Sequence, residues 1–222
     1  VRGIKAFANC VHELMDAWIT SREGAQAADI YQALTGPTHP NVVLAVVDCR
    51  DFGIGALSVD FIHRYSIATD AFDFLKLQWH EPLDLKSFPD QQYLTDIAIP
   101  ALSEVIASKR PLLSKGCTVF GGCRIFHETL ILPQKPKAQQ SAWCILFSKI
   151  DLLLANVPRF DTDGVALGIL QLLTDGAAQK EIGLRLELSP RTIEHRIERL
   201  KGRAGAKNLQ HLVALWISSK LQ

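Results

Sequence analysis

The 222-residue chain predicts an α+β protein that ends in an all-α domain. Three observations carry this expectation. Short segments rich in β-branched and aromatic residues are confined to residues 41–150. A stretch of helical character separates the first two of them from the last three, the order of one sheet with helices on a face. From about residue 155 onward, four helical patterns follow one another with no strand pattern between them.

Each element has its own signature. Ile4, Phe7, Ala8, Val11, Leu14, Met15, Trp18 and Ile19 recur at spacings of three and four, which predicts a first helix of about twenty residues with one apolar stripe. Such a stripe faces its own core, a second copy of the chain, or half of each. A second helical stretch near residues 25–35 is closed by "TGP". The expected strands are "NVVLAVVDC", "ALSVDFIHRYSI", "GCTVFGGCRIF", "ETLILP" and "AWCILFSKI". Between the second and third, from "DAFDFLKL" to "PALSEVIASKR", Leu102, Val105 and Ile106 share a helical face. Asn156, Pro158, Asp161, Asp163 and Gly164 then interrupt the pattern and mark a connector. The expected divisions are N-terminal helices over 1–38 available for dimerisation, a sheet domain over 39–150, a linker over 151–162 and a helical domain over 163–222.

Composition excludes several classes. The apolar share of 48% supplies a core, so disorder is not expected. The longest apolar run, "VVLAVV", is far short of the roughly 20 residues that span a bilayer, and there is no signal-peptide pattern, so a cytoplasmic location without membrane contact is expected. Five widely spaced cysteines, an odd number, read as reduced thiols used for packing. Cys117, Cys123 and His127 fit no common zinc spacing, with strand alternation expected to set both cysteines on one face. His63 and His80 lack an axial-ligand motif for haem, and neither a phosphate-binding glycine loop nor a nucleophile elbow is present. No cofactor, metal or enzymatic role is expected.

Charge is informative only locally. The whole chain carries a formal +1, whereas residues 189–203 hold five arginines and lysines against two glutamates, an excess of three. In this region Asp163 is suited to cap one helix and Gly176 to close it. A second helix follows from about Ala178 to Glu187, turning Ile182 and Leu186 inward, with Lys180 and Arg185 on its surface within reach of phosphate. Ser189 caps and Pro190 starts the next helix, where a missing N–H costs nothing. On its wheel Ile193, Ile197, Leu200 and Ala204 fall on one face, and Arg191, Glu194, His195, Glu198, Arg199 and Gly202 on the other. A helix fits the major groove, where guanidinium groups read guanine and carboxylates accept from cytosine. The glutamates repel phosphate, so they must face base edges or pair with Arg191 or Arg199, which predicts selectivity. A fourth helix starts at Asn208, with Leu209, Leu212, Val213, Trp216 and Ile217 apolar.

Two resemblances follow. The strand and helix order, with "HRYSIATDAF", "PALSEVIASKRPLLSKG" and "ETLILP", resembles the PAS fold over roughly residues 42–150. Residues 161–222 resemble the LuxR-type (GerE-like) helix-turn-helix domain through "LL" before Gly176, "KEI" at Lys180–Ile182, "LSPRTI" at Leu188–Ile193 and "RAGAKN" at Arg203–Asn208. The chain departs from that family at Asp163 (usually Thr), Ala166 (Glu), Arg196 (often His) and Leu209 (often Arg). The fold class implied is a PAS-like antiparallel sheet with helices, followed by a four-helix helix-turn-helix domain. The function implied is that of a homodimeric, sequence-specific transcriptional regulator modulated by its front domain. Expected DNA contacts are Lys180, Arg191, Thr192, Glu194, His195, Glu198, Arg199 and Arg203, with base contacts mainly at Glu194, His195 and Glu198. Phe61, Tyr65, Phe72, Phe74 and Trp79 are candidates to line an effector pocket. Expected partners are double-stranded DNA, a second copy, a small-molecule effector and RNA polymerase. The alternatives are a protein-interaction module built on a degenerate helix-turn-helix and a haem- or metal-based sensor.

Overall fold

A computed structural model describes residues 5–35, 39–50, 58–67, 83–84, 90–135, 141–155 and 162–220. The chain divides into two compact units, Val1–Gly121 with Ile125–Leu153, and Gly122–Arg124 with Leu154–Gln222.

The first unit holds all but the first two residues of β5 and the last two of β6 in a six-stranded antiparallel sheet of order β3-β2-β1-β6-β5-β4. Its strands are β1 (Val42–Asp48), β2 (Ser58–His63), β3 (Leu83–Asp84), β4 (Leu112–Phe120), β5 (Cys123–Pro133) and β6 (Trp143–Ala155). The first long strand and the last are paired at the centre, with Leu44 opposite Phe147 and Val46 opposite Ile145. β1 is apolar at every position up to Asp48 because both of its faces are covered. Val42 and Leu44 join Leu130, Leu132, Trp143, Ile145 and Phe147 on one side. Ala45, Val47 and Cys49 join Val59, Phe120, Ile125, Ile131 and Cys144 on the other.

This corrects the expectation of helices on one face. α1 (Phe7–Thr20) and α2 (Ala27–Tyr31) cover the first side. The second is covered by α3 (Gln91–Tyr93), a wider π-helical turn over Leu94–Ala98, and α4 (Ile99–Ser108), which contributes Leu102 and Val105. Pro100 explains the wide turn: it brings no N–H to the ladder and its ring crowds the preceding turn, so the hydrogen bonding widens just upstream.

α1 is 14 residues long, shorter than its pattern suggested, and its stripe faces its own sheet. Phe7, Cys10, Val11 and Leu14 are buried, and Phe7 stacks on Phe147 at 4.9 Å between centroids. Trp18 Nε1 donates to the Pro133 carbonyl, and Lys135 donates to the Ile19 and Ser21 carbonyls at the helix end, where a cation is favoured. Among the described large apolar residues of the stripe, only Ile19, 58% exposed, is left outside this packing.

The strand expectations need three further corrections. "GCTVFGGCRIF" is not one strand: Gly121 and Gly122 both take positive φ, 53° and 74°, and turn β4 back into β5. "ETLILP" is the second half of β5 rather than a separate strand. β6 continues to Ala155, through the first five residues assigned to the linker. All five cysteines are thiols rather than disulfides, but Cys117 is exposed, not in the core as expected, whereas Cys123 is buried across the hairpin; the two do not share a setting. The "DAFDFLKL" segment and His80 lie outside the described residues.

Among the described residues, the second unit carries the helices α5 (Gly164–Thr174), α6 (Gln179–Arg185), α7 (Pro190–Ala204) and α8 (Leu209–Lys220). They enclose one core of Ala166, Ile169, Leu170, Leu173, Ile182, Ile193, Ile197, Leu200, Leu212 and Trp216.

Candidate nucleic-acid interface

The local chemistry that starts and stops each helix fixes what α7 exposes. Asp163 caps α5, its Oδ1 accepting from Ala166 N at 2.7 Å. Gly176, at φ 84°, closes that helix, with its own N–H and that of Ala177 returned to the carbonyls of Leu173 and Leu172. α6 ends in a turn that uses Glu187 in the left-handed region, φ 55°, and the Leu188 N–H donates to the Gly183 carbonyl at 2.9 Å. Ser189 Oγ then accepts from Thr192 N at 3.1 Å, and Pro190 stands in the first turn of α7. Asn208 Oδ1 accepts from His211 N at 2.8 Å to begin α8.

Gly183 makes the turn this tight. A Cβ at that position would stand 2.9 Å from the Leu188 carbonyl oxygen and 3.7 Å from Ile193 Cγ1. The two helices therefore approach through a backbone surface that a side chain would hold apart.

α7 is 15 residues long, about 22 Å at the standard rise. Ile193, Ile197 and Leu200 are buried, with Ala204 partly so. Arg191, Glu194, His195, Glu198, Arg199, Gly202 and Arg203 are exposed, and Thr192 is half-buried with its hydroxyl 2.8 Å from Ser189 Oγ. Lys180 is exposed in the first turn of α6.

Six cations on this surface fall into two sets. Arg185 bonds Glu181 at 2.6 Å, Arg196 bonds both oxygens of Asp163 at 2.9 and 3.2 Å, and Lys201 bonds Glu198 at 2.9 and 3.0 Å. Lys180, Arg191 and Arg199 have no ion-pair partner among the described residues. The partner of Glu198 is thus Lys201, one turn on, and not Arg191 or Arg199. The sequence also gave no sign of the Asp163–Arg196 pair, whose members lie 33 positions apart. Asp163 is held below the usual carboxylate range, first by the Ala166 amide and then by Arg196.

The remaining expected site residues are less well gathered. Phe61 and Tyr65 are partly buried against the core on the α4 side of the sheet. Phe72, Phe74 and Trp79 lie outside the described residues. A described cleft of the first unit, about 470 Å³, is on the opposite side of the sheet and is lined by Tyr31, Val46, Asp60, Trp143 and neighbours, without Phe61 or Tyr65. Among the described residues no three potential metal-ligating side chains come together, and no helix is long and apolar enough to cross a membrane. His127 is half-buried, with its Nδ1 2.9 Å from Thr129 Oγ1, and burial lowers its pKa.

Residues 167–216 match the family model described as bacterial regulatory proteins, luxR family, which places a LuxR-type helix-turn-helix on α5–α8. Comparison with curated proteins finds no match. Among solved structures the chain is similar to VqmA bound to DPO, at 16% identity over 59% of this chain and 61% of that one, TM-score 0.25. It is similar to a Vibrio cholera VqmA–ligand–DNA complex, at 15% identity over 56% and 64%, TM-score 0.28. It is similar to a phage VqmA–DPO complex, at 16% identity over 81% and 84%, TM-score 0.31. The chain thus spans less than two thirds of the first two of these proteins.

Proposed function

We propose that the chain is a homodimeric, sequence-specific DNA-binding transcriptional regulator, with residues 163–222 as its reading unit and a PAS-like front unit that senses an effector or holds the dimer. The observation that carries the reading is the exposed polar face of α7, on which Arg191 and Arg199 stand without an ion-pair partner among the described residues. Buried apolar residues hold the opposite face and a defined cap sets the helix start, so the register of the exposed side chains is fixed.

In this reading α7 enters the major groove. Arg191 and Arg199 meet guanine edges or phosphate, Glu194 and His195 face bases, Glu198 accepts from cytosine if Lys201 releases it, and Lys180, Thr192 and Arg203 hold the backbone. Two such helices, about one DNA turn apart in a dimer, would require an inverted repeat. The front unit supports the PAS-like reading by its strand order, with the first and last strands paired at the centre and helices inserted before the last three. An effector bound there controls DNA affinity only by favouring one arrangement of the reading units over another. No observation favours the interaction-module or haem-sensor alternatives.

Selection of bound sequences from random duplex DNA tests the proposal. The expected result is an inverted repeat, lost in an Arg191→Ala/Arg199→Ala variant; purified protein that enriches no sequence and binds no duplex at low salt overturns it.

A further inference from the structure

We propose that Asp163 is a positioning residue for the DNA contact: it holds the Arg196 guanidinium as a backbone phosphate would, and so withholds one cation from sequence-independent binding. The inference rests on the DNA-reading proposal above.

Geometry supports it first. Arg196 Nη1 lies 2.9 and 3.2 Å from the two carboxylate oxygens of Asp163. The carboxylate is already ordered, because its Oδ1 also caps α5 through Ala166 N. Only the arginine has to be immobilised to form the pair, which lowers the entropy cost that weakens most surface ion pairs.

Position supports it next. On α7, Arg196 falls at the border between the buried stripe of Ile193, Ile197 and Leu200 and the open face. At helical spacing it shares that border with Thr192, Arg199 and Arg203. When a helix lies in the major groove its flanks run beside the phosphates, so this border is the one that backbone contacts would use. On the other flank Lys201 is likewise held, by Glu198.

The pair is also poorly placed for any large stabilising role. Its side chains are 34% and 62% exposed, where an isolated ion pair contributes little to folding. A carboxylate and a phosphate present the same kind of oxygen acceptor to a guanidinium, so a DNA phosphate competes for Arg196 instead of adding to it. Keeping Arg196 occupied lowers the backbone part of the affinity and leaves site choice to the base-facing side chains.

Asp163→Asn separates the two roles of this residue, since Asn caps a helix as well as Asp but carries no charge. Full-length wild type, Asp163→Asn, Arg196→Ala and the double variant are titrated by fluorescence anisotropy against a selected duplex and an unrelated one, from 50 to 200 mM salt. One newly available phosphate contact per reading unit steepens the slope of log K on log salt by about 0.9, hence about 1.8 for the dimer, roughly a twelvefold change across that range. Asp163→Asn is expected to show this steepening on the unrelated duplex, and to lose it in the Arg196→Ala background. Equal slopes for wild type and Asp163→Asn overturn the proposal. So does a steepening that survives in Arg196→Ala, which would report a general charge effect, and so does a lowered melting temperature with slopes unchanged, which would report a structural brace. Wild-type protein that binds no duplex removes the DNA reading and this inference together; wild-type binding with an unaltered Asp163→Asn slope removes this inference alone.

Discussion

Replacing Gly183 tests whether the tight turn before α7 is as close as it stands. A Cβ there would sit 2.9 Å from the Leu188 carbonyl oxygen, which belongs to the backbone and cannot rotate away as a side chain can. The turn is also tied by the hydrogen bond from Leu188 N to the Gly183 carbonyl, so it cannot open without losing that bond. For Gly183→Ala, the helix-propensity gain of about 1 kcal/mol offsets only part of the overpacking cost of about 1–3 kcal/mol, because the obstructing atom is backbone, so a small net loss is expected. Gly183→Val adds two more methyl groups, one directed into the space held by Ile193 or Pro190, and keeps less of the propensity gain. Overpacking of this kind costs about 1–3 kcal/mol, so a net loss of about 2 kcal/mol is expected for Val. For a unit of this size about 1 kcal/mol corresponds to a 4–8 °C shift, which places the expected drop near 10 °C. Helical circular dichroism followed on heating, with Gly183→Ala as the companion, measures it. A Val variant that melts within about 2 °C of the Ala variant would show that the turn is looser than these distances imply.

Three further outcomes are expected. Arg199→Ala should leave folding within about 0.5 kcal/mol, since the side chain is exposed and has no partner among the described residues to orphan. It should weaken a selected duplex by about 1–3 kcal/mol if Arg199 reads a base, measured by anisotropy against a scrambled duplex. Ser189→Ala removes the acceptor of the Thr192 amide and should cost about 1 kcal/mol, read from the same thermal melts, whereas Ser189→Asp should restore it. Because the Asp163 pKa is depressed in the folded state, its contribution is present above the ordinary carboxylate range and is lost as pH falls through the lowered value. Acid titration should therefore melt the second unit of wild type more steeply than that of Asp163→Asn, and identical acid profiles would contradict the assignment.

What could be read from the sequence was the chemistry that acts over one helical turn. Asp163, Gly176, Ser189, Pro190 and Asn208 all perform the capping or closing role that their type and spacing suggest, because a cap depends on three or four adjacent residues. The inward face of α7 was legible for the same reason. Contacts that close over longer distance were not. Asp163 and Arg196 meet only once α5 and α7 share a core, and no periodicity connects them. Gly183 sits in an ordinary helical pattern, and its need for a bare Cα appears only when Leu188 folds back on it. In the front unit, "GCTVFGGCRIF" is apolar and β-branched on both sides of Gly121–Gly122, so propensity runs through a reversal that only positive φ reveals. A sheet covered on one face does not fit β1, whose unbroken apolar run is itself the mark of a strand covered on both sides.

The distribution of charge makes a final quantitative demand. A count of cations alone suggests a strongly basic surface on α6 and α7, yet Arg185, Arg196 and Lys201 are each held by a carboxylate, whereas Lys180, Arg191 and Arg199 stand without an ion-pair partner among the described residues. If those three and Arg203 supply the phosphate contacts of one reading unit, each contributing about 0.9, the salt slope is about −3.6 per unit and near −7 for a dimer. Release of the held cations on DNA would add three more contacts per unit and steepen the dimer slope to about −13. Anisotropy titration of the wild type on its selected duplex separates the two cases. A dimer slope near −7 keeps the internal pairs closed and assigns discrimination to the base-facing side chains, whereas a slope near −13 would mean that all three pairs open and that backbone attraction dominates binding.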